Sequence, residues 1–532
     1  MPRTVTQNPR RTRCGWISAI AVGSVFALSA QASGIDSLQD AQKLHASGQY
    51  FKSARYAFAA GEEDPSLQAE AYSWITLGLV DAGLEQLASY FFIRTLQSGH
   101  KPAIRRALTR SQEIIGAVGA DLVRKYMIRH TALEDFDSAN RAAFLYALGR
   151  ESLLTGSPQQ ALGYLKAVDA KSPLYAFALQ TRAAAQTVSG NREAAIADFK
   201  GCAVAATQLE ENSKEAGKNG RKPQSRALQD AREAEDLRNR CLAGDARVLY
   251  ELDKFEDADR AYDKIPKDSI VWTDVLFEQA WNSFGRQEYN RTLGKLVSYK
   301  SPALSFVHNS EVDVLRAQAY LALCLYDDAN GVINEFHSKH TGLGEKIKGF
   351  VEANSKDLAK FFNQGREALT SSLHTKDSFY RVLNRFVRGP YFQRLALSER
   401  EVSSELEAVA RFNLGQPGAA KDLGKGFPGF LQNVASWRVK TVRLLGGAFV
   451  KNSLVDYHSA LISDFEKIAF IKLEMLGRAK ERLLSKASVE TGRGRGNVRP
   501  TRRDDQFYWS FNGEFWNDEL GDYVFGLESE CR

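Results

Sequence analysis

Cysteine is the residue type with the clearest chemical potential in this sequence. Five cysteines are present, and Cys14 stands in a separate N-terminal segment described below. The other four are Cys202, Cys241, Cys324 and Cys531. An even number of cysteines in an oxidising compartment predicts disulfide bonds, although four cysteines allow three pairings. Four buried free thiols are the alternative, and the pairing depends on which helices carry the cysteines.

No catalytic, cofactor-binding or metal-binding constellation is predicted beside the cysteines. The stretch HSKH places His337 and His340 one helical turn apart, but two exposed histidines after a repeat are the more common arrangement. The stretch GAAKDLGKGF is one residue too long for a P-loop, and Gly426 stands where a serine or threonine must hold magnesium. The sequence therefore predicts no enzyme, no cofactor and no metal site.

The first 32 residues have the composition of a secretory signal. Four arginines and no acidic residue precede the apolar run WISAIAVGSVFALSA, which is too short to span a bilayer. Ala30 and Ala32 then supply the small residues that a signal peptidase reads, so cleavage is predicted before Ser33. The mature chain is expected to be soluble and exported to a bacterial periplasm.

The charge balance argues against a nucleic-acid partner. The chain has 71 lysines and arginines against 64 aspartates and glutamates. Because four of the basic residues lie in the signal-like segment, the mature chain is close to neutral. It offers no strong electrostatic attraction for phosphate backbones, and protein partners are expected instead.

A pattern of turn residue, small residue and large apolar residue recurs along the chain with a period near 34. In GSPQQALGYLKAVDAKSP it begins at Gly156 and places Ala161 and Leu165 five and nine residues later. Such spacing is typical of helix–turn–helix arrays, in which the turn residue ends a first helix and the small residue lies where two helices cross. Six further copies begin at Gly48, Gly83, Gly190, Asp253, Gln287 and Cys324.

These seven copies resemble the tetratricopeptide repeat (TPR) family, whose stacked helix pairs form a concave face for peptides or partner helices. The resemblance implies an all-α fold, in which a TPR-type helical solenoid is followed by long helices and an aromatic C-terminal tail. An irregular helical bundle is the alternative. Trp74, Tyr146 and Trp281 lie in candidate first helices and are candidate groove residues, although aromatic residues in repeats more often belong to the core.

Composition divides the chain into five predicted segments. They are a signal peptide (1–32), TPR-like repeats (33–343), a helical C-terminal domain (344–489), a basic Gly-rich linker (490–504) and an aromatic, acidic tail (505–532). A polar insertion at about 207–236 interrupts the repeats. Its first half is predicted to be an exposed loop, and its second half, from Ser225, a polar helix extension.

One long amphipathic helix is predicted in the C-terminal domain. Four apolar residues stand seven apart, and Phe465 and Ala479 share their face. The pattern predicts a helix that packs against a neighbour along this stripe. The four residues are Ile462, Ala469, Leu476 and Leu483.

The predicted helices suggest how the cysteines pair. Cys202 lies near the end of a second helix and Cys241 in the next first helix. These elements are neighbours in a TPR stack, so a disulfide is predicted between them across the insertion. For Cys531, the partner depends on where the tail lies.

The tail carries eight aromatic residues between 507 and 525, more apolar area than a solvated segment usually exposes. It is predicted to dock on the repeats near 280–330, with a Cys324–Cys531 disulfide. The alternative is a segment that is disordered until it binds a partner. The predicted docking residues are Trp509, Phe511, Phe515, Trp516, Tyr523 and Phe525.

Two stretches carry a narrower resemblance. VLFEQAWNSFGRQEYNRTLGKLVSYKSPAL, followed by YLALCLYDDA, and the C-terminal FWNDELGDYVFGLESEC are similar to a group of TPR proteins from delta-proteobacterial envelopes that includes adventurous gliding motility protein T. The resemblance is clearest over about 270–340 and 455–532. It implies a role in envelope assembly and supplies no catalytic residues.

The sequence therefore predicts an exported periplasmic scaffold for protein–protein interactions in a cell-envelope complex, with the gliding motility machinery as the candidate complex. Two functions of other classes stay open. One is a peptidoglycan-processing enzyme whose helical domains dominate the sequence, and the other is a chaperone for outer-membrane proteins. No transmembrane segment and no small-molecule substrate are expected.

Overall fold

The computed structural model of the chain describes residues 21–220, 224–373, 376–414, 424–484, 502 and 507–531. These residues form α-helices joined by turns and short 3₁₀ segments, and the described part contains no strand. The predicted fold class, an all-helical solenoid followed by long helices, is confirmed. No helix among the described residues is both long enough and apolar enough to cross a membrane.

The first eleven helices are α1 (Ala21–Ala46), α2 (Tyr50–Glu63), α3 (Gln68–Asp81), α4 (Glu85–Gln97), α5 (Lys101–Leu108), α6 (Ser111–Val118), α7 (Ala120–His130), α8 (Arg141–Leu154), α9 (Pro158–Lys166), α10 (Tyr175–Val188) and α11 (Arg192–Lys218). The other ten are α12 (Gln224–Glu251), α13 (Phe255–Tyr262), α14 (Trp272–Gly285), α15 (Tyr289–Val297), α16 (Glu311–Ala322), α17 (Tyr326–Ala353), α18 (Leu358–Thr370), α19 (Ser378–Val387), α20 (Pro390–Leu414) and α21 (Phe427–Leu484).

Seven helix pairs carry the seven predicted repeats. They are α1/α2, α3/α4, α8/α9, α10/α11, α12/α13, α14/α15 and α16/α17, while α5–α7 replace a regular pair between the second and third. Every predicted turn residue has a positive φ, between 56° and 80°, including the non-glycine residues Asp253, Gln287 and Cys324. One residue in the left-handed region therefore reverses the chain in each pair.

The small residue of each repeat is fully buried, as the crossing of two helices requires. At this position, Ala161 and Ala258 expose none of their surface, and neither does Thr292. The large residue four positions later fills the adjoining space, as Leu165 does. The offsets read from the sequence thus correspond to the contact that holds each pair together.

The polar insertion is a helical hairpin, so the prediction of an exposed loop in its first half is wrong. Helix α11 continues to Lys218, and α12 begins at Gln224. The carboxylate of Glu210 is largely buried and pairs with Arg238, 2.8 Å away on α12. Charged residues that favour helices and pair across the hairpin compensate for the missing large apolar side chains.

The predicted boundary between the repeats and a separate C-terminal domain, at 343/344, falls inside α17. Helix α21 has 58 residues and is roughly 87 Å long. It packs against α16–α20 and also returns to α2 and α4 at the start of the solenoid. There Phe427 stacks near Phe58, with ring centroids 5.1 Å apart. Both ends of the repeat array are thus packed on one helix.

A buried carboxylate joins the returning helices to the second repeat. The residue before α4 provides no side-chain cap for the first amides of that helix. Instead, Glu405 of α20 accepts hydrogen bonds from the amides of Gln86 (2.8 Å) and Leu87 (2.9 Å), one on each carboxylate oxygen. Burial raises the pKa of Glu405 above its usual range, although the two amide bonds act in the opposite direction. Glu405 is therefore the N-terminal cap of α4.

The side chain of Gln86 links the cap to α21 and to a second acid on α20. Arg438 of α21 is fully buried, and its Nε donates to Gln86 Oε1 at 2.9 Å. The amide nitrogen of Gln86 donates to Glu401 Oε2 at 2.6 Å. Burial lowers the pKa of Arg438 to about 10, against the attraction of Glu405 and Glu401. We call Gln86, Glu401, Glu405 and Arg438 the clasp.

The helical hairpin of the insertion also contacts the clasp. Arg226 of α12 lies 2.7 Å from Glu401, and Glu233 of α12 forms an ion pair with Arg394 of α20. These contacts depend on the part of α12 that extends beyond an ordinary repeat helix. The insertion therefore serves to connect the middle of the solenoid to the C-terminal helices.

The prediction of which apolar stripe of α21 packs on a neighbour is wrong, because the adjacent stripe is the buried one. Within α21, Leu454, Leu461, Ile468 and Met475 are buried against the end of the solenoid, while Ile462 and Leu476 are exposed. Ala469 is exposed as well, and the side chain of Leu483 lies outside the described residues. Both sets repeat every seven residues, one position apart, so the period alone did not identify the buried one. Of the two additional residues predicted on that face, Phe465 packs on Phe336 of α17, with ring centroids 4.9 Å apart, and Ala479 is partly buried.

A partly buried histidine lies where α21 passes the last repeat. His308 Nε2 and Tyr457 Oη of α21 are 2.6 Å apart. Burial, together with the nearby charges of His340, Arg385 and Arg381, lowers the pKa of His308 to about 3, and Asp313 acts in the opposite direction. His308 is therefore neutral in the folded chain at every pH near neutrality.

This burial predicts a loss of stability in acid. The pKa of His308 is about 3 in the folded chain and about 6.5 in the unfolded chain. The contribution of neutral His308 to the free energy of unfolding is therefore complete above pH 6.5. It falls as the pH decreases toward 3, and at pH 5 it is lower by about 2 kcal/mol. Urea unfolding at pH 7.5 and 5.0 measures it.

Replacing His308→Gln should remove this part of the acid loss. His458→Gln, next to Tyr457 on the same helix, is the matched control and should leave the acid loss in place. An equal acid loss in wild type and in the His308→Gln chain would contradict the assignment.

Candidate functional site: the docked C-terminal segment

The last described residues of the chain lie on α14–α16, and their backbone groups form hydrogen bonds with the repeats. Asn290 on α15 contributes most, because its carbonyl accepts from the amide of Phe525 and its side chain exchanges two hydrogen bonds with Leu527, all at 3.0 Å. Ser298 accepts from the amide of Gly521 at 2.9 Å. The amide of Glu530 donates to the carbonyl of Leu323 at 2.9 Å. We call residues 520–531 the docked segment.

Apolar side chains anchor this segment at two points. Leu520 is buried against Trp272 and Leu276 of α14. Further along, Phe525 and Leu527 pack on the cluster that contains Leu293 and Leu323. The location agrees with the predicted contact near 280–330, and the anchors differ from the tryptophans that the aromatic content suggested.

A glycine of the repeat makes this close approach possible. A Cβ atom added at Gly294 would lie 1.9 Å from the carbonyl oxygen of Tyr523. The glycines at the same repeat position in two other pairs, Gly163 and Gly331, have nothing within 4 Å. Among these three pairs, only α14/α15 has another backbone directly over this position.

The structure brings both predicted cysteine pairs together. Cys202 and Cys241 form a disulfide with their Cα atoms 6.0 Å apart, buried between α11 and α12. Cys324 and Cys531 form the second, with a Cα separation of 5.0 Å. Cys324 is also the left-handed turn residue of the last repeat (φ 59°), so the end of the chain is tied to a repeat turn.

The aromatic residues before the docked segment are mostly exposed, which corrects the prediction that they dock. Trp509 is 86% exposed and Trp516 59%, and more than half of Phe511 is exposed too. Each lies before Leu520, the first residue of the segment whose side chain is buried. We call residues 507–516 the aromatic arm.

A small ring cluster holds the arm in place. Tyr523 of the docked segment lies 5.5 Å from Phe511 and 5.6 Å from Phe515, and those two rings are 5.2 Å apart. The Tyr523 hydroxyl accepts from the amide of Trp516 at 3.3 Å. Among the six predicted docking residues, Phe515, Tyr523 and Phe525 are partly buried, and the two tryptophans point to solvent.

A charged cleft of about 310 Å³ lies between the docked segment and α13–α15. Its walls carry both signs: Arg286 pairs with Asp259 at 3.2 Å, and Lys295 faces Asp522. Burial raises the pKa of Asp259, and burial lowers the pKa of Lys295 against the attraction of Asp259 and Asp522. Since opposite charges face one another across the cleft, it seats the segment and does not select a ligand of one charge.

The candidate groove residues do not form one surface. Tyr146 is buried in the core, so its prediction as a groove residue is wrong. Trp74 is half-buried under the guanidinium of Arg106, 4.8 Å from the ring centroid. Trp281 packs between Phe277 and Phe284. In repeat helices, aromatic size signals packing more often than binding.

Two further sets of residues were considered in the sequence, the histidines of HSKH and the signal-like segment. His340 is buried with Asp313 at 3.6 Å, while His337 is exposed. In the described part of the chain, no three His, Cys, Asp or Glu side chains lie together as metal ligands do. The backbone of Ala30, Ala32 and Ser33 belongs to α1, but their side chains lie outside the described residues, so cleavage there stays a prediction.

Sequence reasoning missed the residues that receive the docked segment. Asn290 and Ser298 are polar residues on short repeat helices and have no distinguishing local pattern. Gly294 carried a usable signal, because a helix interior usually disfavours glycine. That signal is shared by Gly163 and Gly331, where no segment docks, so it identifies the position only together with the structure.

Comparisons with known proteins identify no family. No protein-family profile matches the chain. No curated protein matches it. Among solved structures, the crystal structure of the P58(IPK) TPR domain is similar, with 15% identity and a TM-score of 0.20, covering 58% of this chain and 93% of that one. Because this score is too low to support an argument, the repeat architecture rests on the seven helix pairs themselves.

The contact at Gly294 gives a direct test of docking. Replacing Gly294→Ala should displace the segment, because the new methyl group meets backbone atoms that cannot rotate away. Amide hydrogen exchange at Phe525 and Leu527 should accelerate by about tenfold or more, equivalent to about 1.4 kcal/mol.

The matched control is Gly163→Ala, at the same repeat position with open space around it. It should leave exchange in the segment unchanged and stabilise its own helix by up to about 1 kcal/mol. Unchanged protection of Phe525 and Leu527 in the Gly294→Ala chain would show that the docked arrangement is wrong.

Proposed function

We propose that this chain is an exported scaffold that binds partner proteins through the aromatic arm in a bacterial cell-envelope complex. The observation that carries the proposal is the exposure of Trp509 and Trp516 directly beside a segment that is tied down covalently. Exposed aromatic residues are costly in water and enriched at the centres of protein interfaces. Anchoring the arm lowers the entropy that a partner must overcome to bind it.

The repeats supply the rigid base for this arm. The docked segment lies on the sixth and seventh helix pairs, and the clasp ties the early repeats to the helices that follow the seventh. A TPR-like array of this kind acts through surfaces, since its stacked pairs offer extended faces for other proteins. The scaffold therefore holds its binding element in a fixed place.

Three features support export to the periplasm. The signal-like first segment is one of them. The second is that all four cysteines beyond residue 20 are paired in disulfides, a state typical of oxidising compartments. The third is that disulfide Cys324–Cys531 involves the exposed Cys531, where a cytosolic reductant would have access. The gliding motility machinery enters the proposal only through the resemblance over 270–340 and 455–532.

Removing the two tryptophans tests the proposal. The chain is purified from the envelope of its producing cells with an N-terminal tag placed after Ser33, following mild cross-linking. Wild type should recover a defined set of envelope proteins, and Trp509→Ala/Trp516→Ala should lose at least one by tenfold or more. Folding should be unaffected, because both side chains are mostly exposed.

Val188→Ser/Val204→Ser removes two equally exposed apolar side chains from α10 and α11 and serves as the control. It should recover the same proteins as wild type. Identical recovery with the tryptophan variant would refute a role for the arm. Clearing of purified cell wall by the isolated chain would instead make it an enzyme.

A further inference from the structure

The distal half of α21 presents an apolar stripe to solvent. Five of its side chains expose between 42% and 71% of their surface: Val455, Ile462, Phe470, Leu473 and Leu476. At 100° per residue these positions fall within about a third of the helix circumference. Scattered exposed leucines need no explanation, but a continuous apolar stripe along one helix indicates a binding surface.

The charges on this stripe are complementary to the stripe itself when it is read in the opposite direction. Glu466 and Lys480 stand seven residues before and after Leu473, and both are exposed. At 1.5 Å per residue, each lies about 10 Å from Leu473 along the helix axis. When two copies of α21 lie antiparallel with their Leu473 side chains at the same level, each Glu466 meets the Lys480 of the second copy. A parallel pair in register would place like charges together.

The sizes of the side chains fit the same arrangement. In an antiparallel pair centred on Leu473, Phe470 lies beside Gly477 of the second copy, because both are on one side of the seam and about 5 Å from its centre. The space beside Gly477 is open and has room for the ring. On the other side of the seam, Leu476 lies beside Ala469, which is small and exposed. Each large side chain therefore meets a small one, as close helix packing requires.

The rest of each chain leaves room for the second copy. The α21 residues that pack on the solenoid lie on another face of the helix, and among the described side chains Met475 is the last buried one. The solenoid therefore flanks α21 almost entirely before Leu473, and in an antiparallel pair the two solenoids lie toward opposite ends of the seam. Lys472 and Glu474 point about 100° to either side of Leu473 and are exposed to solvent.

We propose that the outer stripe of α21 is a homodimer interface, in which two copies of the helix pair antiparallel about Leu473. Two-fold pairing of one self-complementary surface is the most common symmetry of protein oligomers. The seam from Ile462 to Leu484 is roughly 33 Å long, about three heptads. Because an interface of this length is small, the dimer is expected to form in the micromolar range. The pairing does not depend on the role proposed for the aromatic arm.

Charge reversal tests the arrangement, with sedimentation equilibrium of the purified chain at about 1 to 100 µM as the measurement. Wild type should approach twice the monomer mass at the upper concentrations. Glu466→Lys and Lys480→Glu each bring like charges together at two places in the dimer, so each should weaken it by about tenfold or more. The double variant Glu466→Lys/Lys480→Glu restores opposite charges in the antiparallel pair, and its dissociation constant should return to within about threefold of wild type.

Glu407→Lys makes the same change of charge at an exposed position of α20 and is the matched control, which should dimerise like wild type. Leu473→Asp places two carboxylates at the centre of the seam and should leave the chain monomeric. It should not unfold the chain, because Leu473 is mostly exposed. Circular dichroism of each variant verifies that the helices are intact.

Three results would overturn the proposal. One is a wild-type chain that stays monomeric over the whole range of concentration, since something other than a second copy would then cover the stripe. Another is a dimer that survives Leu473→Asp or that the double variant fails to restore, since the interface or its direction would then be different. The third is a monomer whose binding to anionic lipid vesicles is lost in Leu473→Asp, since the stripe would then be a membrane contact.

Discussion

One buried carboxylate accepts hydrogen bonds from the first amides of a helix that lies far away in the sequence. The rest of the fold depends on this contact. The first amides of a helix have no partners within it, and an end buried without a cap is unstable. Glu405 supplies that cap to α4 from 319 residues away. Removing a helix cap costs on the order of 1 kcal/mol, and more when the orphaned groups are buried as they are here.

Once Glu405 is placed, the positions of the C-terminal helices follow. Helix α20 is fixed against the second repeat, and α21, which follows it, brings Arg438 to the other side of Gln86. The helical hairpin of the insertion adds ion pairs to α20 from the middle of the solenoid. A repeat array normally contacts only its neighbours along the chain, whereas this one is also cross-connected. These connections join the early repeats and the middle of the solenoid to the C-terminal helices.

The features that recur within each helix pair could be predicted from the sequence. A residue in the left-handed conformation and a small residue five positions later are demands of one helix pair, so they recur wherever the pair does, and even Gln287 and Cys324 could be placed by spacing. The pairing of Cys202 with Cys241 also followed from neighbouring helices. Apart from the Cys324–Cys531 pair and the location of the tail, long-range contacts left no such trace, because Glu405 and Asn290 look like ordinary surface residues until the chain is folded.

Two of the predictions from sequence are wrong for the same physical reason. The composition of a segment does not specify which other residues its side chains contact. The insertion lacks large apolar residues, yet its charged side chains pair across a hairpin and keep it helical. The tail is rich in aromatic rings, yet Leu520 is its buried anchor, Phe525 and Leu527 pack on the repeats, and the tryptophans remain in solvent. On α21, two stripes with the same period differ only by one residue, and only the neighbouring helices decide which is buried.

The most direct test of the clasp is amide hydrogen exchange at the start of α4. Gln86 and Leu87 should be protected in the wild-type chain and should lose that protection in Glu405→Ala, by about tenfold or more. The equivalent amides of α9, those of Gln159 and Gln160, have no side-chain cap and should exchange rapidly in both chains. If Gln86 and Leu87 exchanged in wild type as fast as Gln159 and Gln160, the carboxylate would not be capping α4, and the closed arrangement of the solenoid would be contradicted.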